Sequence, residues 1–271
     1  MGRMRLFEIH DQPWFPGLLR DQTTDALQFV LNAGNLYGPI VPQLSKALKE
    51  SGAVRILDLC SGAGGPWLSL PKALEQKVGH SLEICLTDKY PHAHAFDNAK
   101  ALEEKRVRFH SSPVDAMQIP DGLTGFRTMF SSFHHFEPSE ARAILQDAVN
   151  KGQGIGIFEA AGRRAKTIFL TFLMPVGCLA LTPFIRPFRW SRFLWTYIIP
   201  VVPFVLWFDG VMSCLRSYSP QELGDLTSGL TGLEYDWKIG QDTSGLFALP
   251  ITYLIGCPIR ETRRGATSPK S

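Results

Sequence analysis

The run from Val54 to Gly65, Val-Arg-Ile-Leu-Asp-Leu-Cys-Ser-Gly-Ala-Gly-Gly, constrains the fold more than any other part of the chain. Val54, Ile56, Leu57 and Leu59 read as a strand buried on both faces, as in a parallel sheet. Asp58 stands near its end. Gly62, Gly64 and Gly65 then let the backbone come close to a ligand where a Cβ would clash. Pro66 suits the first turn of a helix. A strand, a glycine loop and a helix N-terminus are how an open α/β sheet holds a nucleotide-like cofactor. The plainer alternative is a strand-to-helix turn with incidental glycines. Trp67 stands where a dinucleotide loop needs its third glycine, and no Gly-Lys-Ser/Thr follows as a P-loop requires.

Four more segments repeat the pattern. Leu82–Asp88 reads as a second strand ending in an acid, and an acid there can accept hydrogen bonds from both ribose hydroxyls. Val107–Val114 reads as a third strand, followed by Asp115-Ala116. Phe126–Phe133 reads as a fourth, running into Ser132-Phe133-His134-His135-Phe136. Gly154–Ala160 reads as a fifth, with Glu159 near its end. In this order and spacing the segments resemble the class I S-adenosylmethionine-dependent methyltransferases, closely over 52–165 and loosely over 209–260. The resemblance implies a Rossmann-like α/β fold with a seven-stranded, mostly parallel sheet in the order 3-2-1-4-5-7-6. Helices cover both faces, and Leu233–Ile239 and Ile251–Ile259 form a late antiparallel pair. It implies S-adenosyl-L-methionine as cofactor. Asp58 and the Gly62–Gly64 loop would hold its amino-acid end, Asp88 its ribose and Asp115 its adenine. Cys60, Ser61, Lys89, Ala116 and Ser132 flank these positions and are expected in the same site.

Composition sets limits. The 271 residues suffice for one α/β domain with decoration. With 28 basic and 25 acidic residues the net charge is +3, so nothing general favours nucleic acid as a partner. The five cysteines (Cys60, Cys85, Cys178, Cys214, Cys257) are scattered, with no CxxC and no Cys/His pair at metal spacing. They suit a reducing cytoplasm, and no metal site is expected. Met1 to Leu6 is basic with no apolar run behind it, so no signal peptide is expected.

Residues 1–51 read as an N-terminal helical lid, with apolar helical spacing over Asp25–Leu31 and Val41–Leu48. Tyr37 between them is either a lid contact to the cofactor or a packing residue. Residues 52–165 and 209–260 read as the core, and 261–271 as a disordered tail. The unusual part is 166–208. Thr167–Ile185 is 19 residues without a charge, Phe193–Phe208 is 16 more, and Arg186-Pro-Phe-Arg-Trp-Ser-Arg192 connects them. Pro175, Pro183, Pro200 and Pro203 argue against two plain spanning helices. Three readings stand: a lid over a hydrophobic acceptor, a hairpin dipping into an anionic membrane surface with its arginines at the headgroups, or additional core.

Methyl transfer from a sulfonium needs alignment of the acceptor and, for some acceptors, removal of a proton. His134, after the fourth strand and with an ordinary pKa near neutrality, is the candidate base. The alternative is a loop histidine that shapes the pocket. His135, Glu159 and Asp209 are candidates for touching the acceptor. The segment after strand four lacks both an Asn/Asp-Pro-Pro-Tyr/Phe and a Pro-Cys, which disfavours bases of nucleic acid as acceptors. The apolar insertion favours a small hydrophobic or lipid-like acceptor, methylated on oxygen or carbon. The rival function is a non-catalytic membrane-associated module that keeps the fold.

Overall fold

A computed structural model describes residues 2–4, 6–91, 106–244 and 249–259. The expected tail, 261–271, lies outside them. Among the described residues seven strands form one sheet: β1 (Arg55–Asp58), β2 (Glu83–Leu86), β3 (Val107–Phe109), β4 (Phe126–Phe130), β5 (Ile155–Glu159), β6 (Tyr235–Ser244) and β7 (Leu249–Pro258). Their order is β3-β2-β1-β4-β5-β7-β6, as the resemblance implied. From β3 to β5 the pairs are parallel, with Leu57 opposite Cys85 on one side and Arg127 on the other. β7 then runs antiparallel to β5, and β6 to β7.

Alternation along the strands divides the core in two. Ile56, Ile84, Leu86, Phe126 and Phe158 face α2 (Val41–Ser51) and α3 (Leu70–Val78). Leu57, Met129, Ile155 and Ile157 face α4 (Pro138–Asn150) and α9 (Pro220–Thr227). Local signals set the helix ends. Gly52 closes α2 at φ 64°, and capping boxes start α4 (Glu137 with Glu140) and α9 (Ser219 with Glu222).

Three expectations are corrected. First, α2 is core, since Leu44 and Leu48 are fully buried against the sheet, whereas α1 (Gly17–Ala33) lies over the glycine loop. Second, Pro66 does not open a helix. Residues 62–69 form turns and α3 starts at Leu70, so the loop is longer than the motif suggested. Third, the last insertion helix crosses the expected boundary at 208/209.

The insertion comprises α5 (Ala165–Thr171), α6 (Met174–Leu181), α7 (Trp190–Phe193) continued by a π-helical turn (Leu194–Ile198), and α8 (Val201–Arg216). With α1 it builds two small cores of its own. Ala26, Cys178, Ile185, Val202 and Leu206 form one, and Phe15, Leu19 and Val205 the other.

The helices α5 and α6 carry their polarity inside out. Thr167, Thr171, Cys178 and Thr182 are buried, whereas Phe169, Phe172, Leu173, Val176 and Phe184 are exposed, Phe169 at 69 % and Val176 at 61 %. Ala165–Phe184 is 20 residues long and apolar enough to cross a membrane, yet the protein covers only 22 % of its most apolar window. Trp190–Ile198 and Val201–Arg216 also pass as a pair, bent by 68°. Trp190 and Ile198 are exposed at 79 % and 74 %.

Candidate active site

The carboxyl ends of β1, β2 and β4 bring most of the expected cofactor residues together. Asp58 is buried at the end of β1 and takes a hydroxyl on each oxygen: Ser61 Oγ donates to Oδ2 and Thr128 Oγ1 to Oδ1, both at 2.6 Å. Its backbone carbonyl also accepts from the Thr87 amide and hydroxyl, both at 2.8 Å. Asp58 thus pins the loop to β2 and β4. Burial pushes its pKa up to about 7, opposed by the two hydroxyls and, more weakly, by the Trp67 indole.

The loop's backbone is strained in a way that glycine relieves. Gly62 and Gly64 sit at φ 52° and 108°, where a side chain is disfavoured, and a Cβ on Gly64 would lie 3.1 Å from Gln28 Nε2. Cys60 takes φ 55° without that relief. The amide of Gly62 donates to Asp88 Oδ2 at 2.9 Å, and the Tyr90 amide to Oδ1 at 2.8 Å. Asp88 therefore stands directly against the loop, and each oxygen keeps capacity for another donor.

Beside it, Lys89 Nζ donates to Asp115 Oδ2 at 2.9 Å. Hydrogen bonding to this partner raises the Lys89 ammonium and lowers the Asp115 carboxyl. Ala116 is buried in the core below. Ser132, after β4, keeps a buried hydroxyl with no partner, as a ligand-facing group would.

From above, α1 closes on the loop. Gln28 Nε2 donates to the Ala63 carbonyl at 2.5 Å, and Asn32 Nδ2 to Gly65 at 2.9 Å. Tyr37 follows α1 and is buried. Its hydroxyl shares a 2.5 Å hydrogen bond with Ser131 Oγ, and its ring meets Phe130 edge-on at 5.0 Å. Burial raises its phenol well above the ordinary range. Tyr37 packs on the sheet edge beside the loop. A surface hollow of about 340 Å³ lies elsewhere, lined by Arg3, Glu137, Tyr218 and Glu222, and includes no residue of the loop.

His134 and Glu159 meet as the parallel strands require, but their chemistry differs from the expectation. Glu159 Oε2 lies 2.7 Å from His134 Nδ1, and Oε1 accepts from the amides of Phe133 (2.7 Å) and His134 (3.3 Å). On the other side of the ring Glu8 Oε1 lies 3.4 Å from Nε2, without a formed hydrogen bond. Burial works to lower this histidine's pKa, but the two carboxylates outweigh it and raise it to about 10. The two carboxylates thus favour the cationic ring, which is the opposite of what a general base at neutral pH needs. Its near-neutral pKa, expected from the sequence, does not hold in this environment.

Asp209 is likewise occupied. It accepts from the amides of Ile9 (2.6 Å) and His10 (3.1 Å) and from His10 Nδ1 (2.9 Å). His135 turns away from the loop, its Nδ1 2.8 Å from Asp11 Oδ2. The sequence reading missed Glu8, His10, Asp11 and Arg216, which surround these groups. No local motif marks them, because an irregular N-terminal stretch and the end of α8 supply them.

Among solved structures the chain is similar to the methyltransferase domain of bacterial CtHen1, at 13 % identity and TM-score 0.48, over 82 % of this chain and 99 % of that one. It is also similar to human N-acetylserotonin methyltransferase (ASMT) in complex with SAM, at 13 % identity and TM-score 0.48, over 88 % of this chain and 57 % of that one. A SAM-dependent methyltransferase from Aquifex aeolicus matches at 17 % identity and TM-score 0.43, over 81 % and 97 %. The chain thus spans just over half the length of the human enzyme. No protein-family model matches the sequence, and no curated protein does.

Proposed function

We propose that the chain is an S-adenosyl-L-methionine-dependent methyltransferase that modifies oxygen or carbon of a small hydrophobic or lipid-like acceptor at the anionic, cytoplasmic face of a membrane. The observation that carries the cofactor reading is the Gly62 amide on Asp88 at the carboxyl edge of β1 and β2. In an open α/β sheet this edge is where ligands bind. The residues fit the group. Asp88 has acceptor capacity for a diol, the loop is held open by positive-φ glycines, and the Ser132 hydroxyl is unspent. When bound, the cofactor supplies a methyl on a sulfonium as the leaving centre. The chain's own residues orient it: Asp58 fixes the loop, and Gln28 and Asn32 hold α1 over it.

The acceptor class is inferred from the inside-out helices α5 and α6, which support contact with lipid. They are read as lying in the interface and not crossing it, because Thr167, Thr171, Cys178 and Thr182 hold one face to the protein. Calorimetry with S-adenosyl-L-methionine, followed by transfer of labelled methyl to lipid extracts, tests the proposal. Asp88→Ala should weaken cofactor binding by about tenfold or more, the loss of charged hydrogen bonds of about 1.5–3 kcal/mol. Unchanged affinity in the folded variant would remove the assignment.

A second reading, a membrane-associated module without turnover, is favoured by the position of His134 between the carboxylates of Glu159 and Glu8. Vesicle binding without cofactor binding would select it.

A further inference from the structure

We propose that Glu8, His10, Asp11 and His135 bind a divalent transition-metal ion. Each offers one ligand atom, and these atoms all lie within 4.8 Å of one another. His10 Nε2 lies 3.2 Å from Asp11 Oδ1, and Glu8 Oε2 lies 3.8 Å from His135 Nε2 and from His10 Nδ1. A tetrahedral ion with bonds of about 2.0–2.2 Å spaces its ligands by roughly 3.4 Å, and the His10 Nε2–Asp11 Oδ1 pair is already near that spacing. Two imidazoles and two carboxylates suit zinc, cobalt, iron or manganese better than calcium.

The surroundings are built as a metal site's are. His10 Nδ1 lies 2.9 Å from Asp209 Oδ2, whose carboxylate two backbone amides already hold in place. With Nδ1 donating there, the Nε2 lone pair faces Asp11. His135 Nδ1 lies 2.8 Å from Asp11 Oδ2, beside a proposed ligand and not in front of a supporting carboxylate, and its Nε2 turns toward Glu8. A carboxylate behind a ligating histidine is the usual support of such sites.

Glu8 is 1 % exposed, and its two oxygens are divided. Oε1 faces Ser213 (3.1 Å), Arg216 (3.6 Å) and His134 (3.4 Å), whereas Oε2 turns to the two histidines. The buried Nε2 of His134 lies against the same carboxylate, 3.4 Å from Oε1. Asp11, His10 and His135 keep 39, 28 and 24 % of their side chains exposed, which leaves an entry path. The alternative occupant is protons, with the four groups forming an ion-pair knot.

The inference does not depend on cofactor binding. The full chain, stripped with a chelator, is titrated with Co²⁺ while its visible absorption is recorded, and with Zn²⁺ and Mn²⁺ by calorimetry. One ion per chain with tetrahedral cobalt bands is expected. Asp209→Asn should weaken the site by about 10–100-fold, and His10→Ala with His135→Ala should abolish it. His80→Ala, an exposed histidine elsewhere, should change nothing. If the double variant does not fold, Asp11→Asn, at the exposed rim, serves instead and should weaken binding. Absence of stoichiometric binding of all three ions, or binding that survives the double variant or Asp11→Asn, overturns the proposal and leaves the ion-pair knot.

Discussion

Asp58 is held by two hydroxyls in a dry site, and the consequence can be measured. Its carboxyl, ordinarily near 3.8, stands at about 7 in the fold. Between those values the folded chain keeps a proton that the unfolded chain has lost, so this group's contribution to stability falls as pH rises from about 4 to about 7 and is flat outside that window. The span is about 4 kcal/mol. Urea melts of wild type and Asp58→Asn should diverge by that order across the window, the variant lacking the decline. A cationic ligand seated on the loop favours the carboxylate, so cofactor should bind more tightly at pH 8 than at pH 6. His134 carries the opposite lesson. Replacing it by leucine leaves the buried Glu159 carboxylate without its cation, a loss of roughly 3–5 kcal/mol visible in the same melts. The sequence disclosed Asp58, the glycines and Asp88, because strand, loop and acid are local in the chain. It did not disclose the state of His134, because Glu8 joins the ring only when the N-terminal stretch is folded onto α8.

At the scale of elements, α5 to α8 turn phenylalanine, valine and tryptophan outward and threonine inward. An exposed apolar face of this kind contributes little to folding. Phe169→Ser with Val176→Ser should therefore change the thermal midpoint little, each within about 0.5 kcal/mol, while removing binding to anionic vesicles in a flotation assay. The connector's arginines are not equivalent. Arg186 is exposed, and its change to Gln should weaken vesicle binding by about 1 kcal/mol, an effect that salt reproduces. Arg192 is buried, 3.0 Å from Asp25, and donates to the carbonyls of Ile185 and Pro187. Its change to Gln should lower stability and leave the preference for anionic lipid as it was. Composition located the apolar stretches and the basic turn between them. It could not separate an exposed arginine from one that ties the insertion to α1, since both read as a charge in an uncharged neighbourhood.

The whole molecule is a sheet whose strands were legible as segments, because parallel strands with local acids leave a repeating pattern of apolar run, turn and helix; their order came from the family resemblance that those segments carry. The division of labour among the helices was not, and α2 belongs to the core although it precedes every strand. The first helix holds both working surfaces at once. Along its length Gln22 donates to Ser191 Oγ at 2.9 Å and Asp25 pairs with Arg192, while Gln28 and Asn32 donate into the glycine loop. One rod therefore has one end at the glycine loop and its flank in the layer whose outer face is exposed and apolar. Two ligands that bias the position of one rod are thermodynamically linked: whatever factor vesicles add to cofactor affinity, cofactor adds to vesicle affinity. Titrating each in the presence of the other should return equal factors, and Gln28→Ala, which cuts the rod's hold on the loop, should bring both toward one.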